Sequence, residues 1–127
     1  MKLRIRGNSI RLRLTKSEIA QFAATGRVEE RLEFGIAGPG LGYQLYATAG
    51  DETMRARFED NCLYIAVPIR DAENWINSEQ VSIESAQRIA DDMSLRILVE
   101  KDFACLTERA NEDETDAFPN PLAGGNC

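Results

Sequence analysis

Strict alternation governs the first fourteen residues. Leu3, Ile5, Ile10, Leu12 and Leu14 alternate with Lys2, Arg4, Arg6, Arg11 and Arg13. A period of two is that of a strand with one face buried and the other in water. Gly7-Asn8-Ser9 between the two runs tolerates the backbone of a tight turn, so the segment is predicted to be a β-hairpin. An odd loop would carry Leu3 and Ile5 to the wrong face, which selects an even one. Basic residues must then face basic residues. With Asn8-Ser9 as the loop, Arg6 opposes Arg11 and Arg4 opposes Arg13; with Gly7-Asn8, Arg4 opposes Arg11 and Lys2 opposes Arg13. Like charges opposed across a strand pair repel unless something anionic lies between them.

The period then changes. Thr15-Lys16-Ser17-Glu18 is a capping box, Ile19, Phe22 and Ala23 follow at helical spacing, and Gly26 is placed to end a helix over Thr15–Thr25. Further strand signals follow at Val28–Phe34, Tyr43–Thr48, Met54–Glu59 and Cys62–Ile69, the last two joined by the turn pair Asp60-Asn61. Asp71–Asn77 reads as one helical turn carrying the only tryptophan, Trp75, and Gln80–Glu84 and Leu95–Phe103 as two more strands. No internal repeat is apparent. The expected architecture is mainly β: a single antiparallel sheet of seven to eight strands with one short helix after the first hairpin, curled into a barrel or closed by the helix. One domain spans residues 1–121, and 122–127 form a flexible end.

Charge and composition limit what such a domain does. The 127 residues hold 15 Lys+Arg against 21 Asp+Glu, a net charge of −6, and no histidine. Ser-His-Asp and Cys-His nucleophiles and histidine-ligated metal sites are therefore excluded. The acidic balance argues against a dedicated nucleic-acid binder. The N-terminus lacks the apolar run of a signal peptide, and Phe34–Gly50 is too glycine-rich for a spanning helix, so a cytoplasmic protein without a membrane partner is expected. Cys62, Cys105 and Cys127 are read as thiols.

The charges are segregated along the chain. Residues 1–17 carry Lys2, Arg4, Arg6, Arg11, Arg13 and Lys16 with no acid, whereas residues 100–127 carry Glu100, Asp102, Glu108, Glu112, Asp113, Glu114 and Asp116 against Lys101 and Arg109. In one reading the chain's own carboxylates cover the arginines, from the C-terminal segment or from Glu29, Glu30 and Glu33. In the other, Arg4, Arg6, Arg11, Arg13, Arg55 and Arg57 line a groove for a phosphate-bearing ligand. Gly38-Pro39-Gly40-Leu41-Gly42 lacks the lysine and the helix start of a phosphate loop and reads as a connection. Cys105, four residues after Lys101, and the Glu100/Asp102 pair are weaker candidates, since neither has a general base or an activating partner in view. No catalytic, cofactor or metal site is assigned. The function expected is a binding or interaction module for a protein or small anionic ligand; the alternative is a phosphate-ester or nucleotide-processing enzyme with an arginine-lined tunnel or groove.

Two segments carry a resemblance. Lys2-Leu3-Arg4-Ile5-Arg6-Gly7-Asn8-Ser9-Ile10-Arg11-Leu12-Arg13-Leu14-Thr15 is similar to the opening of a family of small uncharacterised bacterial proteins. Glu100-Lys101-Asp102-Phe103-Ala104-Cys105-Leu106, with Glu112-Asp113-Glu114-Thr115-Asp116-Ala117-Phe118-Pro119-Asn120-Pro121, resembles that family's C-terminal signature. The resemblance implies no activity. It implies that the segment through Pro121 belongs to the domain. The segregated charges, the like-charge pairs of the hairpin and Phe118 as an apolar anchor lead to the expectation that Glu112, Asp113, Glu114, Asp116 and the Phe118-Pro119-Asn120-Pro121 turn pack back onto the basic face. Deleting residues 107–127 should then lower the melting temperature and give the truncated protein a new affinity for anionic resin; unchanged stability and no retention would show that the segment covers nothing.

Overall fold

The computed structural model describes residues 1–50, 52–104 and 116–119. Its elements run β1 (Lys2–Arg6), β2 (Ser9–Leu14), α1 (Lys16–Thr25), β3 (Arg27–Leu32), β4 (Leu41–Thr48), β5 (Arg55–Glu59), β6 (Cys62–Pro68), α2 (Ile69–Ile76), β7 (Ser82–Ala90) and β8 (Met93–Lys101). The local signals explain most of these boundaries. Thr15 and Glu18 form both bonds of the capping box, and Gly26 ends α1 at φ 76°. β1 and β2 enclose the two-residue loop Gly7-Asn8, with Gly7 at φ 55°. β5 and β6 enclose Asp60-Asn61, both at positive φ, the backbone a tight hairpin requires.

The strands do not form the single antiparallel sheet, or the barrel, that local patterning predicts. They form two four-stranded mixed sheets, β1-β2-β8-β7 and β3-β4-β6-β5. The cause lies in the two central contacts: β2 runs parallel to β8, and β4 runs parallel to β6. Each sheet is thus two antiparallel hairpins joined side by side in parallel. A second helix, α2, also replaces the single turn expected around Trp75.

This layout exposes an internal duplication that is missed in the sequence. The chain is a ββαββ unit used twice, β1–β4 and then β5–β8. Each sheet takes the first hairpin of one unit and the second hairpin of the other. At an offset of 53 residues, Met1 falls on Met54, Lys2 on Arg55, Arg4 on Arg57, Asn8 on Asn61, Leu12 on Ile65, Leu14 on Val67 and Phe22 on Trp75. The paired positions do the same work. Leu12, Leu14, Ile65 and Val67 are fully buried, as are Leu45 and Val99, their parallel neighbours in β4 and β8. Phe22 and Trp75 meet edge to face from the two helices, centroids 6.4 Å apart. The Trp75 indole N–H is satisfied by the Val81 carbonyl at 2.9 Å.

Side chains, not ladders, close the gaps between sheets. Gln87 of β7 accepts from the Ala56 N–H of β5 at 2.8 Å and donates to the Ala56 carbonyl at 3.0 Å. Ser85 donates to the Met54 carbonyl at 2.8 Å. At the opposite junction the Met1 amine pairs with Glu18 and Glu30, and the Tyr43 hydroxyl lies 2.6 Å from Glu30 and 2.9 Å from the Met1 carbonyl. Burial, reinforced by Glu30, pushes Tyr43 up to about 12. Burial alone would raise the Glu18 carboxyl, but hydrogen bonds from the Met1 amine and from Thr15 outweigh it and hold Glu18 below its usual range.

The Gln87 amide is a two-point clamp, and its geometry gives a test. Gln87→Ala should destabilise the protein by about 2 kcal/mol, because it leaves both polar groups of the buried Ala56 unpaired. Gln87→Glu should cost at least as much, since a carboxylate can accept from the N–H but cannot donate to the carbonyl. Urea denaturation of the two variants measures both effects, and a Gln87→Glu variant as stable as the parent would contradict the clamp.

Candidate anion-binding face

Alternation turns the charged side chains of the first sheet away from the core. Ile10, Leu12 and Leu14 point inward from β2, so Arg11 and Arg13 point outward. Strand registry then aligns the outward residues in three rows across β1, β2, β8 and β7. They read Lys2–Arg13–Glu100–Ser82, Arg4–Arg11–Leu98–Glu84 and Arg6–Ser9–Arg96–Ala86. These rows hold six cations and two carboxylates. Of the two hairpin registers open in the sequence, the one with Gly7-Asn8 as the loop is present, and Arg4 and Lys2 do face Arg11 and Arg13.

The anion that these pairs require is Glu100. One of its carboxylate oxygens accepts from Arg11 Nε at 2.7 Å and from Arg13 Nε at 2.5 Å. The three side chains are largely enclosed, with Glu100 only 8% exposed and the arginines 14% and 13%. Asp102 holds Lys2 at 2.9 Å, and Lys101 donates to the Ser78 carbonyl. The carboxylates considered on and just after β3 are engaged elsewhere: Glu29 and Glu33 pair with Arg27 and Arg31, and Glu30 with the Met1 amine. Cys105, Glu112, Asp113 and Glu114 lie outside the described residues. Asp116 and Phe118 are described, and both are exposed.

A groove of about 830 Å³ lies over the hairpin end of the sheet, and its lining includes Arg4, Arg6, Asn8, Arg11 and Arg96 together with the Glu84 carboxylate. No ion pair with a described carboxylate engages Arg6 or Arg96. The groove is also held stiffly. Asn8 donates to the Ser94 carbonyl at 2.9 Å, the Arg96 N–H donates to the Asn8 carbonyl at 3.1 Å, and Ser9 bonds the Arg6 carbonyl at 2.6 Å.

Arg55 and Arg57 are not part of it. They sit on β5 in the second sheet. The Arg57 guanidinium lies 4.1 Å over the Tyr64 ring and pairs with Glu59, and Tyr64 meets Tyr46 edge to face at 6.3 Å. The structure therefore brings Arg4, Arg6, Arg11 and Arg13 together and separates the other two. Arg96 escapes a sequence reading because only the parallel register with β2 sets it beside Ser9 and in line with Arg6.

A family model described as a family of unknown function (DUF7009) matches residues 1–122. No curated protein matches the chain. No solved structure matches it either.

Removing the shared carboxylate should be costly. Glu100→Ala leaves Arg11 and Arg13 facing each other with their common partner gone, and should cost about 3 kcal/mol by chemical denaturation. Adding Arg13→Ala, which copies the Ala66 of the second unit, should recover part of that loss. Additive losses would show that the two side chains are not coupled.

Proposed function

The chain belongs to a family of unknown function, and from its own surface we propose that it is a small non-catalytic binding module whose arginine face takes an anionic ligand. The observation that carries this reading is the contrast between the two duplicated sheets. Where the first unit places Arg6, Arg11 and Arg13 on its outer face, the second places Glu59, Tyr64 and Ala66. The scaffold needs only the inward residues, so the arginines are not a condition of folding. They are also arranged as guanidinium groups that can fork onto phosphate or carboxylate oxygens. Carboxylates of the chain, Glu100 and Asp102, pair with Arg11, Arg13 and Lys2, and Arg6 and Arg96 make no ion pair with a described carboxylate. Among the described residues no helix is long and apolar enough to cross a membrane.

Isothermal titration at low salt tests the reading, with inorganic pyrophosphate and inositol hexakisphosphate as probes. At least one should bind with an affinity that falls as salt is raised, and Arg6→Ala/Arg96→Ala should weaken it about tenfold or more, a loss of about 1.4 kcal/mol. Absence of binding by both probes would sink the proposal.

A further inference from the structure

The two sheets meet along two seams, β5 against β7 and β1 against β3, and the duplication makes the seams comparable. We infer that the second seam, along the outer edge of β1, is a docking site separate from the arginine face. Its occupant is an extended acidic segment of a partner protein, which adds a strand to the first sheet.

β1 pairs with β2 alone. In a hairpin with a two-residue loop the pairs Arg6–Ser9, Arg4–Arg11 and Lys2–Arg13 carry the ladder bonds. The N–H and carbonyl groups of Leu3 and Ile5 therefore point away from β2. Ala56 and Phe58 stand at the matching places on β5, and there Gln87 takes both polar groups of Ala56. Setting the buried pair Val28–Leu45 on its counterpart Ile83–Val99 places Glu30 on Ser85 and Leu32 on Gln87. The first correspondence is kept in chemistry: Ser85 bonds the Met54 carbonyl, and Glu30 holds the Met1 amine. The second is broken. A leucine side chain can neither donate nor accept, and among the described residues nothing bonds the Leu3 or Ile5 backbone on that side. An unclamped edge of this kind is what a strand-adding partner uses.

The surroundings define that partner. A groove of about 440 Å³ adjoins the edge, lined by Leu3, Leu32 and Leu41 with Glu30, Arg31 and Tyr43. Ile5 and Leu32 are exposed, as is Phe34 two residues beyond the end of β3. Apolar side chains on one face of an added strand thus find Leu3, Ile5 and Leu32. On the other face β1 presents only cations, Lys2, Arg4 and Arg6. Residues directly opposite on a new strand sit about 5 Å from them between Cβ atoms, where like charges repel. A second copy of β1 laid on this edge would set cations against cations, whereas carboxylates complement the row. Lys2 already pairs with Asp102, and Arg6 makes no ion pair with a described carboxylate. The partner's carboxylate beside Arg6 is therefore the one that matters most. A strand alternating apolar with acidic residues satisfies both faces at once.

Titration of the isotope-labelled full chain with an acetylated heptapeptide of alternating glutamate and valine tests the assignment. The Leu3 and Ile5 amides should exchange freely before the peptide is added and gain at least about tenfold protection at saturation. A heptapeptide of alternating lysine and valine should bind at least about tenfold more weakly. Ile5→Pro removes one outward N–H without touching a ladder bond, and should weaken binding of the glutamate peptide about fivefold or more. Phe58→Pro, the same change on β5, should not. If Ile5→Pro does not fold, amide protection in the parent decides the matter. Leu3 and Ile5 amides already protected without peptide would show that the chain itself or a second copy covers the edge, and would overturn the proposal. So would absence of binding by the glutamate peptide, or equal affinity for the two peptides. Binding that is lost in Arg96→Ala but kept in Ile5→Pro would place the peptide on the arginine face, overturning the edge site and leaving the anion-binding reading intact. Failure of pyrophosphate and inositol hexakisphosphate to bind, with the Leu3 and Ile5 amides still protected by the peptide, would have the opposite effect.

Discussion

Two parallel strand contacts hold the molecule together. Leu12 of β2 lies beside Val99 of β8, and Ile65 of β6 beside Leu45 of β4; all four side chains are sealed from water. Parallel neighbours demand long connections: between β2 and β8 the chain runs through both helices and five strands, and between β4 and β6 it runs through β5. The consequence is an interlocked pair of units. Neither ββαββ half owns a sheet, because each sheet needs a hairpin from both. The core between them, with Phe22 against Trp75, exists only when both halves are folded.

That interlocking also fixes where charge ends up. β8 carries Glu100 into the centre of the first sheet, where its parallel alignment with β2 sets it directly beside Arg13. A carboxylate from the end of the chain thereby relieves the repulsion built into its beginning. Buried ion pairs contribute little net stability against a well-packed apolar alternative, and the second sheet shows such an alternative, with Ala66 and Tyr46 at the matching positions. The Arg11–Glu100–Arg13 arrangement is therefore not required by the packing of the fold.

The local elements were legible in the sequence because their causes are local. The capping box of Thr15 and Glu18, the alternation of β1 and β2, and the Asp60-Asn61 turn all depend on residues a few positions apart. The sheet plan was not. The register of Ser9 with Arg96 joins residues from the two ends of the chain, and a period of two is identical in parallel and antiparallel strands. The duplication stayed hidden for a related reason. Its two copies agree in polarity and size at the buried positions (Leu12 with Ile65, Phe22 with Trp75) but seldom in identity. The candidate face was half legible: Arg4, Arg6, Arg11 and Arg13 announce themselves by alternation, whereas Arg96 and the role of Glu100 need the register. Arg55 and Arg57 look equivalent in sequence, and are equivalent in the repeat, yet the exchange of hairpins sends them to the other sheet.

Duplication also supplies a control that a single-copy fold lacks. Positions whose chemistry agrees between the copies, such as the leucine and isoleucine of β2 and β6 or the asparagines at the two hairpin tips, are accounted for by the scaffold. Positions that differ are where one copy does something the other does not. On the first hairpins, Arg6, Arg11 and Arg13 stand against Glu59, Tyr64 and Ala66, whereas Lys2 and Arg4 match Arg55 and Arg57. A guanidinium cluster costs stability through self-repulsion, and the second unit builds the same hairpin with fewer of these groups. Core packing alone does not account for the asymmetry, because the inward residues of the two hairpins agree in character while these outward ones do not.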